Sequence, residues 1–220
     1  MRIVITEFIS LDGIVQAPGG PEEDTDGGFA HGGWSHPFFD PEVVGGAFSD
    51  ALGKADALLY GRRTWETMAA AWPDRAGDPF ADRMNSIPKY VVSSTLEDPS
   101  WSNSTVLKGD LVEEVSRLKQ EIDGDIVVHG SPRLARALVD HDLVDELRLM
   151  VYPVVLGAGE RLFGETGEAK RLRLVGSTAV GDGIAILTYE PIRDDTAPDS
   201  AGAEDKRAAA LRRAGIEENG

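Results

Sequence analysis

The chain has no cysteine among its 220 residues. That excludes disulfides, thiolate metal sites and a cysteine nucleophile. Histidine is scarce, with four in all. Neither His31 nor His36 stands in an H-E-x-x-H or comparable spacing, so no metal centre is expected. Positive charge is also in short supply: 22 Lys and Arg face 38 Asp and Glu, a formal net charge of −16. Such a chain repels nucleic acid and anionic membranes, and neither is an expected partner. No apolar run is long enough to span a bilayer. Arg2-Ile3-Val4-Ile5 reads as a strand rather than a leader peptide, so a cytoplasmic protein is expected. No internal repeat is visible. The dinucleotide fingerprint G-x-G-x-x-G is missing, because Gly157-Ala158-Gly159-Glu160-Arg161-Leu162 lacks its third glycine. That segment reads instead as a bend of close backbone approach. Ser131 lacks the G-x-S-x-G context of a nucleophile elbow.

What is present is a regular alternation of strands and helices. Arg2 to Ser10 reads as a first strand, closed by the turn residues Leu11-Asp12-Gly13. Further strands are expected at Asp56–Tyr60, Lys89–Val92, Ser104–Leu107, Asp125–Val128 and Asp145–Val155. Helical spacing appears at Val43–Leu52, after Thr64, over Leu111, Val115, Leu118 and Ile122, and at Leu134–Val139. Arg171–Val175 and Ile184–Tyr189 read as a closing antiparallel hairpin around Gly181-Asp182-Gly183. Early strands alternate with helices and late ones do not. The expected fold class is therefore α/β, with a central mixed, mostly parallel sheet and an antiparallel C-terminal edge. One domain is expected over residues 1–191. Residues 192–220 read as an acidic tail, disordered or frayed-helical. The glycine- and acid-rich stretch Ala17–Trp34 is too long for a plain connection and reads as a functional loop.

Three strand ends point to one kind of ligand. After the second strand, Gly61-Arg62-Arg63-Thr64 places two guanidinium groups at a helix N-terminus, where phosphate is favoured. Ser93-Ser94 follows the third strand and offers hydroxyls and turn amides. Gly130-Ser131-Pro132, with Leu134 in the next turn, opens the helix after the fifth. Each alone is an ordinary turn or cap. Their recurrence at successive carboxyl ends of strands points to a dinucleotide.

The substrate half is sparser. Asp12 follows the first strand and is the expected proton donor, with a pKa raised by burial; its plain alternative is a turn residue before Gly13. Glu7 is the reserve, on the opposite face by strand alternation. Trp34, Phe38 and Phe39 offer rings to stack on a planar substrate, or else anchor the long loop.

Taken together and in order, Ser10-Leu11-Asp12-Gly13, Tyr60-Gly61-Arg62-Arg63-Thr64-Trp65-Glu66, Val91-Val92-Ser93-Ser94, Ile126-Val127-Val128-His129-Gly130-Ser131 and Tyr152-Pro153-Val154-Val155-Leu156-Gly157-Ala158-Gly159 resemble the dihydrofolate-reductase-like superfamily. Within it the chain resembles stand-alone relatives of the reductase domain of riboflavin biosynthesis, over roughly Met1 to Pro191. The resemblance implies a three-layer α/β/α fold, NADPH as cofactor, hydride transfer to a small polar C=N or C=O substrate, and a homodimer. The chain departs from the pattern at Thr6, where riboflavin reductases usually carry lysine, and at Gly130-Ser131, where the superfamily pairs glycines. No second basic cluster near Asp12 awaits a phosphoribosyl group. The alternative is a protein of this fold that binds a nucleotide or small molecule without turnover.

Overall fold

The computed structural model describes residues 1–40, 43–75, 77–164, 169–193 and Arg213. Eight strands form one sheet: β1 (Arg2–Ser10), β2 (Ala55–Gly61), β3 (Lys89–Val92), β4 (Ser104–Leu107), β5 (Asp125–His129), β6 (Glu146–Tyr152), β7 (Leu172–Val180) and β8 (Ile184–Pro191). Their order is β4-β3-β2-β5-β1-β6-β8-β7. The first six pair parallel; β8 runs antiparallel to β6, and β7 to β8. The α/β class and the antiparallel C-terminal edge are as expected. Most of the expected tail lies outside the described residues.

The helices are α1 (Val43–Lys54), α2 (Arg62–Ala71), α3 (Pro79–Ser86), α4 (Leu111–Glu121) and α5 (Pro132–Asp140). The chain moves outward through β2, β3 and β4, then returns to insert β5 between β2 and β1. Right-handed crossovers in opposite directions put helices on opposite faces. Packing bears this out. Leu52 of α1, Trp65 of α2 and Met84 of α3 join Val4, Leu58, Tyr60, Val91 and Val127. Val115 and Leu118 of α4 and Leu134 and Leu138 of α5 join Ile3, Ile5, Leu59, Ile126 and Val128. Within β1, odd residues therefore face α4 and α5, and even residues face α1 to α3. Removing a core side chain such as Leu118 or Ile126 to alanine should cost about 2–5 kcal/mol.

Helix α3 is absent from the sequence reading, though its signal is plain. Asp78 caps the amides of Phe80 and Ala81, and Pro79 sits in the first turn. Its far end is closed by Lys89, which is fully buried and donates to the carbonyls of Met84, Asn85 and Ile87. A third cluster anchors the long loop, with Ile14, Ala17, Phe29 and Trp34 packed on Met150, Tyr152 and Ile184.

Candidate functional site

Strands β2, β5 and β1 are neighbours and parallel, so the turns that follow them open at the same edge of the sheet. That is where an open α/β sheet binds ligands. A cleft of about 1410 Å³ lies there, lined among others by Glu7, Gly61, Arg63, Thr64, Ser131 and Glu160. It is large enough for an extended ligand.

Helices α2 and α5 begin in this cleft, and neither has a side-chain cap. Helices α3 and α4, by contrast, are capped by Asp78 and Asp110. An uncapped helix start leaves amides for an anion. The two turns are latched to each other. The Ser131 amide donates to Thr64 Oγ1 at 3.1 Å, and the Gly61 amide donates to Ser131 Oγ at 3.0 Å. Each hydroxyl accepts in these bonds, so its own O–H remains available to donate. The latch also explains Gly130. Its φ of +61° suits glycine, and a Cβ there would press on Thr64 Cγ2 at 3.3 Å.

Arginines rim these helix starts. Arg62 pairs with Glu66 at 3.2 Å, within its own helix. Arg63 pairs with Asp26 and, at 3.6 Å, with Asp24. Arg133 reaches Glu160 at 3.4 Å and Asp26 at 3.9 Å. The acidic segment of the long loop thus lies across the basic rim. The arginines of these pairs are exposed, and each pair contributes little to stability.

Glu7 enters the cleft from β1. It is only 3% exposed, and its Oε1 has no hydrogen-bond partner. Burial first, and then the charges of Glu23 and Glu160, hold its pKa well above the usual carboxylate range. On the other face of β1, Thr6 Oγ1 meets His129 Nδ1 at 2.9 Å. Burial pulls the His129 pKa down to about 3, so the ring is neutral.

Of the expected cofactor residues, Gly61, Arg62, Arg63, Thr64, Gly130, Ser131, Pro132 and Leu134 all line the cleft. Ser93 and Ser94 do not; Val92 stands in the wall before them. Ser93 Oγ accepts from the amides of Thr95 and Leu96 and so shapes its own turn.

The substrate residues need more correction. Asp12 lies outside the cleft lining. Its carboxylate accepts from Ser10 Oγ at 2.7 Å and from the amides of Leu156 and Gly157 at 3.1 and 2.8 Å. These bonds lower its pKa to about 2, the opposite of the expected rise. Asp12 clamps the end of β1 to the Leu156–Gly157 turn. Trp34 and Phe38 are loop anchors rather than stacking rings. Both meet Tyr152 edge-on, at 5.4 and 6.0 Å between ring centroids, and Trp34 Nε1 donates to the Gln16 carbonyl at 2.7 Å. Phe39 is exposed and lines the cleft. Gly159 is a point of close approach, as expected, but to Ile14 and Phe29 of this chain. Glu23, Arg133 and Glu160 escaped the sequence reading, because loop closure rather than local pattern brings them in.

Comparison with known proteins places this architecture. Residues 2–186 match the family described as RibD C-terminal domain. The chain belongs to the RibD C-terminal domain family. This is a reductase-like family, as the resemblance implied. Two Bacillus subtilis (strain 168) proteins, the uncharacterized YyaP and YwjB, are 28% and 27% identical to it. The matches cover 86% and 84% of this chain, and 94% and 95% of theirs. The fold is shared with a candidate riboflavin biosynthesis protein from Shewanella sp. PV-4, at a TM-score of 0.70 and 23% identity, covering 88% of this chain and all of that one. It is shared also with a deaminase/5-amino-6-(5-phosphoribosylamino)uracil reductase from Thermotoga maritima. There the TM-score is 0.58 at 13% identity, over 87% of this chain and 56% of the larger protein. Among the described residues, no group of three or more His, Cys, Asp or Glu is placed to hold a metal ion, and no helix is long and apolar enough to cross a membrane.

Proposed function

We propose that this RibD C-terminal domain protein is an NADPH-dependent reductase of a small polar C=N or C=O substrate. One observation carries the reading. Two uncapped helix starts on adjacent strands, rimmed by arginines, open into the same cleft as Glu7, a buried carboxyl group whose surroundings raise its proton affinity.

The residues fit a phosphorylated dinucleotide. The free O–H of Ser131 and the first-turn amides of α2 and α5 can receive a pyrophosphate. Gly130 keeps the backbone open to close approach. Arg62 and Arg63 supply charge for a 2′-phosphate. When bound, NADPH supplies a hydride. The protein's part is to orient, to exclude water and to hold a proton. Glu7, within β1, holds that proton, and the nitrogen or oxygen of the reduced bond must gain one. This role moves from Asp12, whose carboxylate is ionised and committed to a turn. The loop from Gln16 to Phe39 walls the cleft. Asp24 and Asp26 clasp Arg63 and would exchange it for a phosphate.

The test is NADPH oxidation, followed by absorbance, against a panel of imines, pterins and pyrimidines. Turnover with any member is the expected result. Tight NADPH binding without oxidation by any acceptor would replace the reductase with a binding protein of the same fold.

A further inference from the structure

We infer that the Glu7 end of the cleft accepts a basic, unphosphorylated C=N group, an imine or amidine that binds as its cation on a small apolar body. This deepens the proposed reductase reading and rests on it.

Glu7 Oε1 is buried against the cleft without a hydrogen-bond partner. A buried polar atom left so is costly unless a ligand completes it. What faces it is acidic. Glu23, from the long loop, is exposed, and its Oε2 accepts the Gly19 amide at 2.6 Å. Glu160, from the segment after β6, is the other charge that raises the Glu7 proton affinity.

The cations nearby are committed. Arg133 and Arg136 of α5 reach Glu160 at 3.4 and 3.7 Å. Arg161 donates to the Asp12 carbonyl. From β5 the nearest titratable group is His129, which is uncharged and lies on the other face of the sheet. The register partner on β6 is Leu149, which brings no charge. On the Glu7 face of the sheet the cleft lining includes the apolar Val15 and Leu134.

An anionic substrate would set its charge beside Glu7, Glu23 and Glu160, and among the described residues Arg133, Arg136 and Arg161 already have acceptors. A cation does the reverse. It takes the place of the Glu7 proton, pairs with the carboxylate in a setting of low dielectric, and relieves the repulsion from Glu23 and Glu160. A basic imine can form that pair by taking the proton directly. The N–H bond forms as the Glu7 O–H bond breaks. NADPH, when bound, would supply the hydride that completes the amine C–H, and solvent would return a proton to the carboxylate. The chemistry also separates this pocket from one built for a phosphoribosyl substrate, which needs a basic wall.

The experiment uses the full chain and three ring compounds of one shape: benzamidine as its cation, neutral benzamide and anionic benzoate. Calorimetric titrations at neutral pH are run in phosphate and in Tris, whose different ionisation enthalpies report protons released. Wild type should bind benzamidine with release of close to one proton, bind benzamide about tenfold more weakly or worse, and not bind benzoate. Glu7→Gln should weaken benzamidine by about tenfold and abolish the proton release, with NADPH affinity unchanged. Glu23→Gln should weaken benzamidine by a smaller factor and keep the release, which guards against a Glu7 variant that folds poorly. Benzoate binding as well as benzamidine, or benzamidine binding without proton release, overturns the inference. So does failure of benzamidine to bind at millimolar concentration while NADPH binds, and that outcome leaves the dinucleotide reading intact. Benzamidine binding with proton release but no NADPH binding sinks the dinucleotide reading alone.

Discussion

Replacing Glu7 by glutamine should make the protein more stable, not less, at neutral and alkaline pH. The substitution is nearly isosteric and leaves a polar side chain in the same buried place, 3% exposed. What it removes is an ionisation. In the unfolded chain Glu7 loses its proton near its ordinary value of 4.5; in the folded protein burial, Glu23 and Glu160 keep the proton on. The folded state therefore binds more protons than the unfolded state at any pH between those two values. Stability then falls as pH rises through that window, at a limiting slope of about 1.4 kcal/mol per pH unit for one group. Below the unfolded value both states are protonated and the term vanishes. Urea titrations of wild type and Glu7→Gln from about pH 5 to about pH 8 measure the difference directly. The two stabilities should lie within about 1 kcal/mol of each other at the acid end, and the variant should gain steadily toward the alkaline end. Parallel curves across the range would refute the claim that Glu7 is held neutral in the fold.

Other substitutions test other parts. Asp12→Asn should lose about 1–2 kcal/mol at neutral pH, since the depressed carboxylate stabilises the fold above its unfolded value of 3.8; the loss should shrink as pH falls toward about 2, and NADPH affinity should not change. Asp26→Asn should tighten NADPH binding a few-fold by releasing Arg63, whereas Arg63→Ala should weaken it about ten- to a hundredfold, both by calorimetry. Lys89→Met should cost about 2–4 kcal/mol in chemical denaturation, because three carbonyls at the end of α3 lose their donor.

Much of the framework is legible in the sequence because its strands are short apolar runs closed by turn residues. Val127-Val128-His129-Gly130 and Leu58-Leu59-Tyr60-Gly61 each end where the chain turns into a helix. The cleft-lining turns after β2 and β5 are legible for the same reason, since Arg62, Arg63 and Gly130 are local to those ends. The substrate half is not. Asp12 sits at a strand end like the others, but its role is decided by two amides at Leu156 and Gly157, far along the chain. Trp34 is decided by Tyr152 in the same way. Glu7 does carry a local sign, a carboxylate inside the run Ile5-Thr6-Glu7-Phe8-Ile9, where an acid is rarely buried without purpose. Which of Glu7 and Asp12 faces the ligand depends on where the sheet edge opens, and only the packed fold decides that. Helix α3 shows the converse, a local signal in Asp78-Pro79 that the wider pattern of strands obscured.

The central claim is that the helix starts after β2 and β5 hold a dinucleotide bearing a 2′-phosphate. Calorimetric titration of the full chain with NADPH and with NADH tests it most directly. The account predicts that NADPH binds at least about tenfold more tightly than NADH, the difference set by charge-assisted contacts to the extra phosphate, and that Arg62→Ala combined with Arg63→Ala erases the preference. Equal affinity for the two in the wild type, or a preference that survives the double substitution, would contradict it.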